Sequence, residues 1–212
     1  MKKNAHYLLF LVFIIIFALL IIFLFDFSFF EEVLETEEIS IKPEIVIINP
    51  KVEIGEKVID FTRGDEFLTY AELIAAAGVI FKKWDFPLTD SRNWYDPYIR
   101  EAQKESWIFP RDHRQSDYDK TTTRSEALRF FIRILESRGE DFYPSEISLY
   151  NEFLESNISD VPLDMKDFFV KSYTKGLLKE DVQSYDLNEF ITKKEVFNVF
   201  DRILNPGKRV MP

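Results

Sequence analysis

Apolar residues follow two regimes along this chain. Residues 7–25, YLLFLVFIIIFALLIIFLF, carry no charge at all. From about residue 67 onward, apolar positions instead recur every three or four residues, in short segments parted by polar turns. The first regime predicts one helix that is apolar all round. Its nineteen residues, at roughly 1.5 Å of rise each, reach about 28 Å, close to the hydrocarbon thickness of a bilayer. The second regime predicts a set of amphipathic helices.

The long apolar run reads as an uncleaved transmembrane anchor. A cleaved signal peptide, the alternative, would have a shorter apolar stretch followed by small residues. Here FDFSFFEEVLE follows, with large side chains where cleavage would occur. Lys2 and Lys3 precede the run, and Asp26, Glu31 and Glu32 come after it. The excess of basic residues on the cytoplasmic side of membrane helices then places the amino terminus in the cytoplasm and residues 26–212 outside, in a single-pass arrangement. Residues 1–25 form the tip and anchor, 26–66 an acidic stalk with an extended or short β segment, 67–205 a helical domain, and 206–212 a tail. The β-like part is IKPEIVIINPKVEIGEKVIDF, residues 41–61, where Ile and Val alternate loosely.

Five helices are expected in the helical domain. YAELIAAAGVIFKK covers 70–83, with Leu73, Ala76, Ala77 and Ile80 in period and Gly78 as a weak point. The next runs over roughly 95–106, with Tyr98, Ile99 and Ala102 on one side. SEALRFFIRILESRG, 125–139, places Leu128, Phe131, Ile132 and Leu135 on one face. A fourth lies near 165–175 before Gly176, and a fifth at 193–205, where Val196, Val199, Phe200 and Ile203 are in period before Asn205-Pro206-Gly207.

Three of these helices open in the same way. Thr69, Thr123 and Thr192 each precede a helix, and Glu72, Glu126 and Glu195 each fall three residues later. That spacing predicts a capping box: the threonine oxygen accepts the third amide of the helix, and the glutamate accepts the amide of the threonine. The repeat also extends beyond the caps. DSRNWYDPYIREAQKESWI aligns without a gap on DVPLDMKDFFVKSYTKGLL, so Tyr98 meets Phe168, Ser106 meets Gly176, and Trp107 meets Leu177. Asp90 lies 33 residues before Thr123, and Asp160 lies 32 before Thr192. Two units, 88–137 and 158–205, and a half unit, 67–84, result. Repeats of this size complete one another's core, so an all-α domain with the three capped helices in a pseudo-threefold cluster is expected. Residues 138–159 form a long join between the two units.

Composition narrows the function. The chain of 212 residues has 27 basic and 37 acidic side chains; without Lys2 and Lys3 the remainder holds 25 against 37, a net charge of −12. Nucleic-acid phosphates require a basic footprint, so nucleic acid is not an expected partner. There is no cysteine, which excludes disulfides and thiol chemistry.

The order of these parts resembles the S-layer homology (SLH) family: Asp, an aromatic-rich short helix, a small residue before Trp-Ile or Leu-Leu, a loop, and Thr-Arg-x-Glu opening a second helix. DSRNWYDPYIREAQKESWIF with TTRSEALRFFIRIL carries the resemblance best, SDVPLDMKDFFVKSYTKGLL with ITKKEVFNVFDRIL next, and LTYAELIAAAGVIF resembles a second half alone. It covers about residues 67–205. The resemblance implies three units in a three-pronged helical pseudo-trimer that binds acidic cell-wall polysaccharide without covalent attachment. It places the motif arginine in the grooves between units, here Arg124, with Lys193 at the same place in the last helix and Tyr70 in the first. Ser106 stands where the family has glycine, whereas Gly176 keeps it. An arginine in a first helical turn suits a carboxylate, through its rigid fork and the positive end of the helix dipole. Trp94, Tyr95 and Trp107 could stack on sugar faces or belong to the core.

Signals for catalysis are weak. His113, in RDHRQSDYDK beside Asp112, Asp117 and Asp119, matches no ligand spacing and reads as an exposed loop residue. DVQSYDLNEF at 181–190 lacks the central glycine and final glutamate of a calcium loop. No phosphate-binding glycine loop occurs, and no carboxylate pair is singled out. No enzyme activity, cofactor or metal is expected. Two readings remain: a membrane-tethered module that binds cell-wall polysaccharide, or a membrane-anchored domain that contacts an envelope protein or acts as a spacer.

Overall fold

A computed structural model describes residues 46–86, 93–144, 147–148, 161–178 and 185–210. The expected anchor at 7–25, the stalk up to residue 45 and most of the join at 138–159 lie outside the described residues. Within them the chain is mostly helical. A hairpin of β1 (Lys51–Ile54) and β2 (Lys57–Asp60) leads into five helices: α1 (Tyr70–Lys82), α2 (Asp96–Lys104), α3 (Arg124–Ser137), α4 (Leu163–Thr174) and α5 (Lys193–Leu204). These fall within one or two residues of the five segments expected from periodicity. None of the described helices is long and apolar enough to cross a membrane.

The capping boxes are present at the three expected places. Thr69, Thr123 and Thr192 each accept the amide of Glu72, Glu126 and Glu195 at 3.3 Å. The same glutamates accept the threonine amides at 2.8–2.9 Å. α1 continues through Gly78 for a packing reason: Trp84 folds back so closely that a Cβ there would lie 2.0 Å from its ring. Lys83, at φ 59°, turns the chain to make that return possible.

Each capped helix also receives help from a distant loop. The first two amides of α1, on Tyr70 and Ala71, donate to the carbonyls of Lys120 and Tyr118. Those of α3, on Arg124 and Ser125, donate to Glu189 and Leu187. Those of α5, on Lys193 and Lys194, donate to Glu66 and Gly64. In every case the acceptors lie three and five residues before the capping threonine of the next capped helix, and the third link returns to the first. Single antiparallel bridges join the same segments: Phe67 with Thr192, Thr69 with Thr121, and Thr123 with Phe190. The residues just before the caps, Leu68, Thr122 and Ile191, are all fully buried. The unsatisfied amides of three helix starts are thus the glue of the domain.

Outside this cycle, α2 packs on α1 and α4 packs on α3. The matching position beside α5 is taken by the hairpin segment. Phe61 meets Phe197 and Phe200 with ring centroids 5.6 and 6.3 Å away, and Asn205 exchanges two hydrogen bonds with the backbone of Val46. Residues 51–60, within the stretch expected as a stalk and short β segment, thus form a hairpin, and that hairpin is part of the helical core. Val52, Ile54 and Ile59 are buried. The strand register pairs Lys51 with Asp60 and Ile54 with Lys57, and Gly55 at φ 58° makes the tight turn. A lone two-stranded hairpin is marginal in water, so its burial against α1 and α5 is what holds it.

Candidate functional site

Three junctions follow from the cycle, each where the start of one capped helix meets the loop before the next. The first side chain of the helix differs in each. At the α3–α5 junction it is Arg124, which is 17% exposed. Its Nε donates to Glu195 Oε1 at 2.8 Å, its Nη1 binds Glu189, and its guanidinium lies 4.8 Å over the Tyr185 ring. Burial alone would lower the Arg124 pKa; Glu195 and Glu189 outweigh it and raise the value. At the α5–α1 junction the side chain is Lys193, 12% exposed, whose Nζ sits 2.6 Å from Glu66 Oε2. At the α1–α3 junction Tyr70 is buried, with its ring 4.1 Å from that of His113 and stacked on Tyr118. Burial pushes the Tyr70 hydroxyl pKa well up.

These facts bear on the anion-binding expectation. Arg124 and Lys193 do lie at junctions, but both are held by glutamates. The helix-start amides that would have aided an anion are taken by carbonyls and capping threonines. Glu189 and Glu66, the two partners, occupy equivalent positions in Glu66-Phe67-Leu68-Thr69 and Glu189-Phe190-Ile191-Thr192. That second repeated motif lies directly before the caps, where the capping pattern alone does not point to it. The α1–α3 junction has Lys120-Thr121-Thr122-Thr123 instead, which fits the absence of a cation at Tyr70.

The aromatic candidates divide. Trp107 is fully buried, stacked 5.1 Å from Trp84, and donates its Nε1 hydrogen to Ser137. Tyr95 is buried too and donates its hydroxyl to Asp119. Burial and then Asp119 push the Tyr95 pKa up to about 12. Neither ring offers a face to a ligand, so both are core residues and not sugar platforms. Trp94 is half-buried, with Lys57 Nζ 4.8 Å over its ring. His113 also departs from expectation. Its side chain is only 7% exposed, because the loop turns it inward against Tyr70 and Tyr118.

The α3–α5 junction is open. A groove of about 370 Å³ lies at the α3–α5 junction, lined by Arg124, Tyr185, Lys194, Glu195, Asn198 and Arg202 among others. Lys194 is exposed and makes no ion pair among the described residues. A larger hollow of about 780 Å³ lies between the hairpin and the end of α1, with Ile48, Val52, Val79 and Trp84 in its walls. It contains none of the candidate site residues. Among the described residues, no group of three or more acidic or histidine side chains could hold a metal ion.

No protein-family model matches the chain, and neither does any curated protein or any solved structure.

Proposed function

We propose that this protein is a noncatalytic, membrane-tethered component of the cell envelope that binds acidic cell-wall polysaccharide. Its SLH-like units form a pseudo-threefold cluster, and one of their three junctions takes the ligand. The observation that carries this reading is the α3–α5 groove, where Arg124, Lys194 and Arg202 line one opening together with the Tyr185 ring. A guanidinium fork suits a sugar-borne carboxylate, and the Tyr185 ring, which carries the Arg124 guanidinium over its face, would orient that fork. The net charge of −12 on residues 26–212 would repel a polyanion elsewhere, which confines binding to such a locally basic groove. The cycle of helix starts and loops supports the pseudo-threefold arrangement. The anchor at 7–25 would hold the domain against the wall from the membrane side.

A specific observation favours the second reading, a membrane-anchored spacer or protein-interaction domain that has kept the fold without glycan binding. Both motif cations are already neutralised, Arg124 by Glu189 and Glu195, Lys193 by Glu66. Co-sedimentation of the soluble unit with isolated host cell wall, at low and high salt, separates the two. Under the glycan reading the parent sediments at low salt and less at high salt. Arg124→Ala with Lys194→Ala weakens it tenfold or more while circular dichroism stays unchanged, and Lys193→Ala has little effect. A parent that stays in the supernatant at both salts overturns glycan binding and leaves the protein-contact reading.

A further inference from the structure

The second oxygen of each capping glutamate faces a basic side chain. Glu195 Oε1 has Arg124 Nε at 2.8 Å, Glu72 Oε1 has Lys57 Nζ at 2.6 Å, and Glu126 Oε1 has His113 Nδ1 at 3.9 Å. Arginine and lysine stay charged across the physiological range, whereas an imidazole does not. We infer that the α1–α3 junction is an acid-sensitive latch, closed while His113 is neutral and loosened when it takes up a proton. The inference rests on the packing of this junction and needs no ligand.

The geometry sets the direction. The His113 side chain is 7% exposed, and its ring lies 4.1 Å from Tyr70 and 6.0 Å from Tyr118. At 3.9 Å its Nδ1 is beyond hydrogen-bond distance of Glu126, whose other oxygen is already held by the Thr123 amide. A proton on this ring would therefore enter an enclosed aromatic site where the facing Glu126 oxygen, at 3.9 Å, is too far to accept a hydrogen bond without movement. The charged groups around it do not all agree. Glu126 from α3, Asp112 from the same loop and Asp117 from the following turn favour the proton, and Arg129 from α3 opposes it. Asp112 is committed to the nearby Arg133. Burial is the largest influence and holds the His113 pKa below its ordinary value. The folded state then binds the proton less readily than the unfolded state. Stability is complete above the ordinary histidine range, near about pH 6.5. It falls as pH drops from there through the folded value.

The latch is local. His113 belongs to the loop whose carbonyls, on Tyr118 and Lys120, receive the first two amides of α1. Displacing the ring loosens those two bonds. The corresponding amides of α3 and α5 are bound by loops that face arginine and lysine.

The test uses the full-length protein in detergent micelles. Histidine ring resonances are followed from pH 8 to pH 5, and amide exchange is compared at pH 7.5 and 5.5 after correction for intrinsic rates. The chain has two histidines, His6 and His113, so His113→Gln assigns the signals. The expected result is a His113 midpoint below about 6.5. Protection of the Tyr70 and Ala71 amides should fall in acid by up to tenfold for each unit of depression, while Arg124, Ser125, Lys193 and Lys194 stay protected. In His113→Gln the selective loss should vanish. A midpoint at or above the ordinary value, or equal loss at all three junctions, overturns the latch. If His113→Gln does not fold, the parent's titration and exchange decide the matter alone.

Discussion

The unit ending in α3 and the unit ending in α5 share a backbone plan but differ in the side chains on it. Both outer helices end in the same left-handed turn. The Trp107 amide reaches the Ala102 carbonyl in one, and the Leu177 amide reaches Ser172 in the other, each at 2.9 Å. Both loops then present carbonyls to a distant helix start, and both units resume with a threonine–glutamate cap. Yet one loop receives Tyr70 with His113 and Tyr118, while the other receives Arg124 with Tyr185 and Glu189. The frame therefore depends on backbone groups and caps. The chemistry of each junction is left free to vary.

The largest test of that comparison is at the two left-handed positions, Ser106 at φ 62° and Gly176 at φ 61°. A serine tolerates the conformation at a cost, and Ser106 is exposed. At Gly176 a Cβ would come within 2.5 Å of the Val210 carbonyl oxygen, because the C-terminal segment crosses there and its Val210 amide bonds to Gly176. Gly176→Ala should destabilise the domain by about 2–4 kcal/mol, the sum of backbone strain and overpacking. Ser106→Gly should be mildly stabilising, by under about 1 kcal/mol, through relief of the left-handed strain. Urea unfolding midpoints read both. Equal and small effects would mean that the tail does not press on Gly176.

A smaller difference is expected between the two capping glutamates. Glutamine keeps the capping geometry and removes the charge. Glu195→Gln takes a charged partner from Arg124, although Glu189 remains, and should cost about 1–2 kcal/mol. Glu126→Gln faces a neutral imidazole at pH 7.5 and should cost under about 0.5 kcal/mol. Denaturant titration of the two variants side by side checks this. Similar losses would show that Arg124 draws its hold mainly from Glu189.

The caps and helices were legible because their signals are local. Thr-x-x-Glu spans one turn, and the apolar faces of α3 and α5 repeat within fourteen residues or fewer. The partners of the helix starts were not legible, because Tyr70 and Lys120, or Arg124 and Glu189, are far apart in sequence and bond through backbone atoms that leave no compositional trace. The hairpin was only half legible: four-residue strands carry too short an alternation to say which core they join. The burial of His113 and Trp107 depends on which way a loop turns. Of the candidate site, Arg124 and Lys193 were found from the repeat. Their glutamate partners were also repeated, in Glu66-Phe67 and Glu189-Phe190, and comparing the residues before the caps would have found them.

The subtlest difference lies at the centre of the cycle. Leu68, Thr122 and Ile191 occupy equivalent places just before the caps, and all three are fully buried. Two are hydrocarbon, but the unit ending in α3 contributes a threonine whose Oγ1 has no hydrogen-bond partner among the described residues. Its backbone is fully engaged, donating to Leu68 and accepting from Ile191, so only the hydroxyl is out of place. Burying an unpaired hydroxyl costs about 1–3 kcal/mol. Valine has nearly the same shape and no such penalty. Thr122→Val should therefore raise stability by about 1 kcal/mol while Thr123 still caps α3, an increase that thermal unfolding would register as a higher Tm. A lower Tm would mean that the hydroxyl has a partner in solution, and the centre of this domain would then be polar where its neighbours Leu68 and Ile191 make it dry.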